Sequence, residues 1–366
     1  MQEISEGVCY NVLQNEGDVM KERNLSLIKD LSILIVTWKG DKLLVDCLNT
    51  IMRVYGDIPE IVVVDNANLI STKEVVSRFK NVRYVASTSN LGFAGGNNLG
   101  FPLCTRKYVL LLNNDTILYE DSFCPMIRFL EDHPHVAVVQ GKMRLSKLGD
   151  VLDTCGYMLT PGGVLHDHYI MKNALATEVT SHRVYSAKGA MMLLRRDIVD
   201  RLGGVLFYEH FHSNYEEVDF CHRVWLQGFE VYCLNTPLID HLQGQTISRL
   251  NQVEVSGKTL GNQLFSIFTT FEFCNMIKIG VWVILLNFIV SLSRAFKGEF
   301  CNIRSFVYAI RSVWQRRVEL MSSRKRIQGT RKISDLELLS KIMVHPPIRY
   351  YYYAFRGNAL KCQSLI

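Results

Sequence analysis

Short, uninterrupted apolar runs alternate with stretches of helical spacing along the first third of the chain. LSILIVTW (31–38) precedes a helix predicted through Lys42–Val54, and EIVVVDN (60–66) precedes one near Thr72–Phe79. VRYVAS (82–87) leads into a glycine-rich stretch and a helix near Gly96–Cys104, and KYVLLLNND (107–115) precedes a helix near Asp121–Glu131. Continuous Val/Ile/Leu strands separated by helices predict an α/β fold with a mainly parallel central sheet, covered by helices on both faces. After His133-Pro134 the periodicity fades. Residues 140–190, with TPGG (160–163) and several histidines, predict loops and short strands, and 185–250 reads again as strand, helix, strand.

Towards the C-terminus the pattern changes in kind. Ile279–Leu292 is a nearly unbroken apolar run of fourteen residues, and extending it from Ile277 to Phe296 gives twenty. Fourteen is short for a membrane span and twenty is adequate, so a spanning helix, an interfacial helix and a buried helical hairpin all fit. Charge favours a membrane surface. Of the net +6, the segment Arg294–Lys332 holds eleven Lys/Arg against two Asp/Glu, or +9, leaving −3 for the remainder. Such a basic segment beside an apolar helix suits anionic headgroups, with docking in the interface preferred over a true span. Phe300, Phe306, Tyr308 and Trp314 fall on helix faces rather than on stacking platforms, so no nucleic-acid partner is expected.

Met1–Asp30 is polar and lacks the basic-then-apolar pattern of a signal peptide, and Leu31–Trp38 is too short to span a bilayer. The expected location is therefore the cytoplasmic face of the membrane. The ten cysteines form no CxxC pair, which argues against a zinc site and a disulfide framework. These features divide the chain into an N-terminal extension (1–30), an α/β domain (31–250) and a helical, basic, membrane-associated region (251–366).

Two predicted strands end in polar residues, Asp65-Asn66 and Asn113-Asn114-Asp115, where the ligand crevice of an open α/β sheet lies. Asp65 either caps the following turn or accepts hydrogen bonds from a pyrimidine base. NLGFAGGNNLG (90–100) has neither GxGxxG nor P-loop spacing. Its glycines suit either a tight turn or the approach of backbone to a ligand, and Asn97 and Asn98 favour a nucleotide contact. Asp115, at a buried strand end, either caps a turn or anchors Mg²⁺ or Mn²⁺, which prefer oxygen donors and few carboxylates. In NYEEVDFCHRVWLQGF (214–229), Glu216, Glu217 and Asp219 suit the first turn of a helix, and one of them could serve as a general base. His241, after a strand-like run, is either structural or completes a metal site.

In that order, ILIVTWKG, IVVVDNAN, NLGFAGGNN, YVLLLNNDT, AKGAMMLLRRD, YEEVDFCHRVWLQGF and IDHLQGQTIS resemble the family 2 glycosyltransferases, rhamnosyltransferase-like branch, over roughly residues 31–250. The resemblance implies a GT-A fold, a nucleoside-diphosphate sugar donor, with dTDP-rhamnose the one the branch points to, a divalent metal and inversion at the anomeric carbon. It implies a glycan or lipid-linked acceptor, bound on the irregular 140–190 side, in cell-surface polysaccharide synthesis. Asp65 matches the base-contacting acid, and Asn66, Asn90, Gly92, Gly95, Asn97 and Asn114 fall among the donor-binding positions. Asp115 matches the metal-facing carboxylate of a DxD-type motif that here begins with Asn113, and His241 matches the metal-associated histidine. Glu217 stands where the family has its catalytic Asp, with Glu216, Asp219 and Arg223 on the acceptor side or supporting it. The alternative is a degenerate GT-A protein that holds a nucleotide sugar or glycan without turnover.

Overall fold

The computed structural model describes residues 24–242, 252–356 and 359–366. Most of the N-terminal extension and the end of the IDHLQGQTIS segment lie outside the described residues. Strands β1 (Leu31–Thr37), β2 (Glu60–Asp65), β3 (Val82–Ala86) and β4 (Tyr108–Asn113) run parallel, joined by helices α1 (Asp41–Tyr55), α2 (Ile70–Ser77) and α3 (Gly92–Gly100). They continue into β5 (Thr116–Ile117), α4 (Phe123–Asp132), β6 (Val136–Gln140), β7 (Met143–Arg144), β8 (Tyr157–Leu159), β9 (Leu165–Asp167), β10 (His182–Arg183) and β11 (Met191–Arg195). Next come α5 (Asp197–Arg201), α6 (Glu216–Leu226), β12 (Glu230–Cys233) and β13 (Ile239–His241).

The central sheet has the order β10-β12-β6-β11-β4-β1-β2-β3. It is mainly parallel, as expected; β11 runs against β4 and β6, and β10 against β12. Both faces are covered, so alternate residues of one strand enter different cores. Val109 and Leu111 of β4 join the cluster containing α3 and α6 residues, while Tyr108, Leu110 and Leu112 join that of α1 and α4. Each such aliphatic side chain contributes about 1.5–3 kcal/mol by leaving water. On α1, Leu44, Cys47, Leu48, Ile51 and Tyr55 form the buried stripe of an amphipathic helix.

Helix boundaries differ from the sequence expectations for local reasons. The helix expected near Gly96–Cys104 starts at Gly92 and gives way to a 3₁₀ turn at Phe101–Leu103. Gly92 has φ +69°, and Asn90 Oδ1 accepts its N–H at 3.0 Å. The helix expected from Asp121 starts at Phe123. Asp121 stays outside, one residue before the N-cap Ser122, with its Oδ1 accepting the Cys124 N–H of the first turn at 3.0 Å. Asp115 lies in the turn beyond β4 rather than in the strand.

The C-terminal helices are α7 (Gln252–Thr270), α8 (Phe273–Ala295), α9 (Cys301–Gln315), α10 (Arg317–Thr330), α11 (Asp335–Ile342), α12 (Arg349–Phe355) and α13 (Ala359–Gln363). Leu264 and Phe265 of α7 share a core cluster with Phe211 and Trp225, so these helices are built onto the α/β body. Helix α8 buries Ile279, Gly280 and Val283, and it exposes Ile277, Val281, Trp282, Leu285, Phe288, Ile289 and Leu292 along the opposite face. Its 23 residues span about 34 Å at 1.5 Å per residue. Among the described residues it is the single helix long and apolar enough to cross a membrane.

Candidate active site

The small sheet β5-β13-β7 lies beside the end of β4 and brings two distant segments together. Antiparallel pairing sets His241 opposite Thr116, and the Leu242 N–H donates to the Asp115 carbonyl at 2.9 Å. His241 Nε2 stands 3.4 Å from Asp115 Oδ1 and 3.4 Å from Asn113 Nδ2. His241 Nδ1 lies 2.7 Å from Asp153 Oδ2, and the Lys188 ammonium holds Asp153 Oδ1 at 2.6 Å. Gln140 anchors this arrangement: its Oε1 accepts the Lys188 N–H at 2.7 Å and its Nε2 donates to the Thr154 carbonyl at 2.6 Å. Burial pulls the His241 pKa down, but Asp115 and Asp153 outweigh it and lift the imidazole to about 9. Burial favours a neutral Asp153, but His241 and Lys188 prevail and hold it below its ordinary value.

Asp115 Oδ1 is buried and has no hydrogen-bond partner among the described residues; the 3.4 Å approach to His241 is an ion pair rather than a good hydrogen bond. A carboxylate oxygen in need of a partner beside an imidazole nitrogen fits a divalent cation. Asp153 behind His241 is the usual outer partner that orients a ligating histidine. Among the described residues no three His, Cys, Asp or Glu side chains form a closed metal cage. Two protein donors make an open site, the form hard cations take when a ligand or water supplies the other oxygens. Asn114 does not join this group. Its amide donates to Thr37 Oγ1 at 2.8 Å and ties β4 to the end of β1.

The second end of the site is the start of α6. Glu216 is buried and Glu217 half-buried, and each keeps a buried Oε2 without a hydrogen-bond partner among the described residues. Burial pushes both carboxyls up, Glu216 further through the charge of Glu217. For Glu217, its own amide, Lys188 and the Gly189 amide oppose the rise, while Asp167 adds to it. Asp167, at the end of β9, is itself pushed up to about 6 by burial. Lys188 therefore stands between the two ends: paired with Asp153 on one side and in the field of Glu217 and Asp167 on the other. A partly accessible carboxylate with an unpaired oxygen and a raised pKa has the properties of a general base.

Asp219 and Arg223 serve the scaffold. Arg223 Nε donates to Asp219 at 2.7 Å, and its other nitrogens donate to the Val205 and Leu206 carbonyls at 2.8 and 2.7 Å. The pair clamps the segment before α6 through Asp219 Oδ2, while Asp219 Oδ1 is buried with no hydrogen-bond partner among the described residues.

The remaining candidates gather at the ends of β2 and β3. The Asp65 carboxylate accepts the Ala67 and Leu69 N–H groups at 2.9 and 2.8 Å and the Tyr84 hydroxyl at 2.9 Å, so the geometry is that of a turn cap. Asn97 donates back to the Phe93 carbonyl of its own helix at 2.8 Å. The glycines serve close packing: a Cβ on Gly96 would stand 2.6 Å from Val36 Cγ1, one on Gly95 2.7 Å from Leu91 Cβ, and one on Gly92 would collide with His212. Asn66 differs. Its Nδ2 donates to the Gly92 carbonyl at 2.8 Å while its Oδ1 is buried with no hydrogen-bond partner among the described residues. A cavity of about 1060 Å³ lies on the outer side of α3, lined by Asn90, Asn98, Phe207, His210 and His212 among others. It includes none of Asp115, His241 and Glu217, and the carboxylate oxygens of Asp115 and Glu217 that lack a hydrogen-bond partner among the described residues, not this volume, mark the site.

Asp153, Lys188 and Asp167 were not among the sequence candidates. They come from the irregular 140–190 region, and sheet order, not spacing, brings them to the site. The one available signal was Lys188 in AKGAMMLLRRD, a lysine three residues before the apolar strand that starts at Met191.

Residues 32–203 match the model of the family described as Glycosyl transferase family 2. The chain is 27% identical over 211 residues to the low-salt glycan biosynthesis hexosyltransferase Agl10 of Haloferax volcanii, covering 56% of this chain and 65% of that protein. Among solved structures it is similar to residues 1–349 of S. aureus TarS in complex with UDP-GlcNAc, with TM-score 0.53 and 15% identity over 92% of this chain and 90% of that one. It is also similar to GalNAc-T7 with UDP, GalNAc and Mn²⁺, with TM-score 0.55 and 12% identity over 79% of this chain and 57% of that one. The fold is GT-A, with a helical C-terminal region, as the sequence led one to expect.

Proposed function

We propose that the chain is a metal-dependent, inverting glycosyltransferase that moves a sugar from a nucleoside-diphosphate sugar to a hydroxyl of a glycan or lipid-linked acceptor. The observation that carries this reading is the pair of buried carboxylate oxygens without a hydrogen-bond partner among the described residues, Asp115 Oδ1 and Glu217 Oε2, at the two ends of the charged series His241–Asp153–Lys188. The family match and the hexosyltransferase named above support the reaction class, and cell-surface polysaccharide synthesis is the process we assign. The UDP-GlcNAc of TarS and the UDP and Mn²⁺ of GalNAc-T7 support the donor class and the cation. Within that class, dTDP-rhamnose is the donor suggested by the sequence motifs.

Asp115 and His241 would hold Mg²⁺ or Mn²⁺, which when bound neutralises charge developing on a departing diphosphate. Asp153 keeps the His241 ring oriented with Nε2 towards Asp115. Asn66 Oδ1 is available to accept a hydrogen bond from the nucleoside, with Asp65 stiffening the turn beside it. Glu217 takes the proton from the acceptor hydroxyl as that oxygen attacks the anomeric carbon opposite the leaving diphosphate. One base and no protein nucleophile give a single displacement with inversion, the transferase counterpart of inverting hydrolysis. Lys188 opposes the upward push of burial on Glu217 and so favours its charged, proton-accepting form.

The exposed stripe of α8 and the basic residues beyond it, Arg294, Lys297, Arg304 and Arg311, support docking on an anionic membrane at the cytoplasmic face. The buried stripe, Ile279 and Val283 against the Gly163 turn, ties α8 to the body and favours lying in the interface over spanning.

The test is a panel of UDP-GlcNAc, UDP-galactose, GDP-mannose and dTDP-rhamnose with Mn²⁺, scored by thermal shift and by release of nucleoside diphosphate. At least one donor should raise the melting temperature and be hydrolysed, and EDTA should stop the hydrolysis. Donor binding without turnover, with water or with a membrane lipid extract as acceptor, would establish a non-catalytic binding protein instead. Full activity in EDTA would remove the metal.

A further inference from the structure

The loop before α6 holds an unusual backbone. His212, Asn214 and Tyr215 have φ of +58°, +72° and +76°, three non-glycine residues in the left-handed region within four positions. Such conformations persist only where the surroundings over-determine them. Tyr215 directly precedes Glu216, so its dihedrals set the direction in which the first turn of α6, with Glu217, leaves the loop.

Two elements clamp this loop. On the α3 side the His212 carbonyl accepts the Ala94 N–H at 3.0 Å, and Gly92 makes room for the His212 ring. On the opposite side stands Asn262 of α7, almost fully buried. Its Nδ2 donates to the Phe211 carbonyl at 2.9 Å and to the Asn214 carbonyl at 2.8 Å. One side-chain amide thus bridges the two carbonyls that bracket the strained turn. Thr259, one turn earlier on α7, adds a weaker tie, its Oγ1 3.3 Å from Asn214 Nδ2. The rest of α6 has other supports: the Arg223 clamp, and buried Trp225 with its indole N–H on the Tyr185 carbonyl at 3.1 Å.

We infer that Asn262, which lies beyond the residues matching the family, is a positioning residue: it holds the strained turn that aims Glu217 at the acceptor hydroxyl. This rests on the assignment of Glu217 as base. Removing Asn262 lets the turn relax while the distal part of α6 stays packed, so the base is displaced and the fold remains.

The experiment uses the full chain and nucleoside-diphosphate release, with Mn²⁺ and water as acceptor, from whichever of the four named sugar nucleotides is hydrolysed fastest. Asn262→Leu keeps the volume and removes both donated bonds. It should lower kcat about 10²-fold, the scale of a 1 Å misplacement, with donor KM within about twofold of wild type. Gln328→Leu is the structural control, because Gln328 donates to the Thr269 and Thr270 carbonyls at 3.0 and 2.9 Å at the other end of α7. It should lower the melting temperature and leave kcat unchanged. In a Glu217→Gln background, Asn262→Leu should cost nothing further. If Asn262→Leu does not accumulate as folded protein, Thr259→Val loosens the same turn more gently and should lower kcat severalfold at constant KM.

The inference is overturned if folded Asn262→Leu, or Thr259→Val in its place, keeps wild-type kcat while Glu217→Gln is inactive. It is overturned equally if Asn262→Leu lowers kcat by the same factor with and without Glu217. A Glu217→Gln protein that turns over normally identifies a different failure, that of the base assignment itself.

Discussion

Replacing Asp153 by Asn tests whether Asp153 orients His241 for a metal ion as the geometry indicates. The side chain keeps its shape and loses its charge. Wild-type Asp153 makes contacts of 2.6 Å to the Lys188 ammonium and 2.7 Å to His241 Nδ1, with its side chain 1% exposed. Hydrogen bonds to charged groups contribute about 1.5–3 kcal/mol each. Removing one partner of a buried pair costs roughly 3–5 kcal/mol. The lower end applies, because the Lys188 side chain is 17% exposed and can turn to solvent. An amide can satisfy one neighbour with its oxygen but must then point N–H groups at the other. His241 thereby loses the partner that fixes its orientation, and loss of such an outer ligand lowers metal affinity about 10–100-fold. Calorimetric titration with MnCl₂, alongside thermal melts, reads both effects without any substrate. Lys188→Met is the companion variant: it leaves the His241–Asp153 contact intact and should change Mn²⁺ affinity little. Wild-type Mn²⁺ affinity in Asp153→Asn, or an equal loss in Lys188→Met, would refute the reasoning.

Glu217→Gln should lower turnover by about 10²–10⁴ at nearly constant donor KM, while Glu217→Asp retains part of it; a Gln variant of wild-type activity would exclude this base. Because burial raises the Glu217 carboxyl and the charged form is the active one, the wild-type rate should climb with pH through an apparent value above that of an ordinary glutamate, and a rate flat from pH 5 to 8 would contradict it. Glu216 also has a raised pKa in the folded chain, so the stability linked to its proton is lost as pH rises from the ordinary value of 4.5 through the folded one. Glu216→Gln should therefore melt higher than wild type at pH 8 and no higher at pH 4, and equal melting temperatures at pH 8 would show that the group is not held protonated. Wild-type protein should sediment with phosphatidylglycerol vesicles and be partly released by high salt; Trp282→Ser combined with Ile289→Ser should abolish this, and unchanged sedimentation would move the docking face elsewhere.

The sheet was legible because buried parallel strands write themselves as unbroken apolar runs, as β1, β2 and β4 do. The antiparallel direction of β11 was not, since MMLLR is buried on both faces and carries no alternation. The start of α3 was misplaced because glycines leave no apolar stripe to phase. Asp115, Glu217 and His241 could be named from their motifs, but Asp153 and Lys188 lie 88 and 53 residues before His241, and only the strand order puts them beside it. Asp65, Asn97, Asp219 and Arg223 were legible as polar residues in the right segments. The hydrogen bonds of Asp65, Asn97 and Arg223 go to the scaffold, and Asp219 gives one oxygen to Arg223 and keeps the other without a hydrogen-bond partner among the described residues, distinctions that residue type does not encode.

The composition of α3 bears on how the protein folds. The helix is GFAGGNNLG, and its interior Gly95 and Gly96, with Asn97 and Asn98, make it roughly 3 kcal/mol less helix-prone than an alanine segment of that length. Alone it has no reason to form; contact with Val36 and with the Leu34 and Val64 side chains under Gly100 holds it together. It should consolidate after the β1–β2–β4 sheet and be among the first elements to open in the native protein. Its amides should then exchange with deuterium well ahead of those of β4, and a ligand resting against its first turn would slow that exchange more than at any central strand.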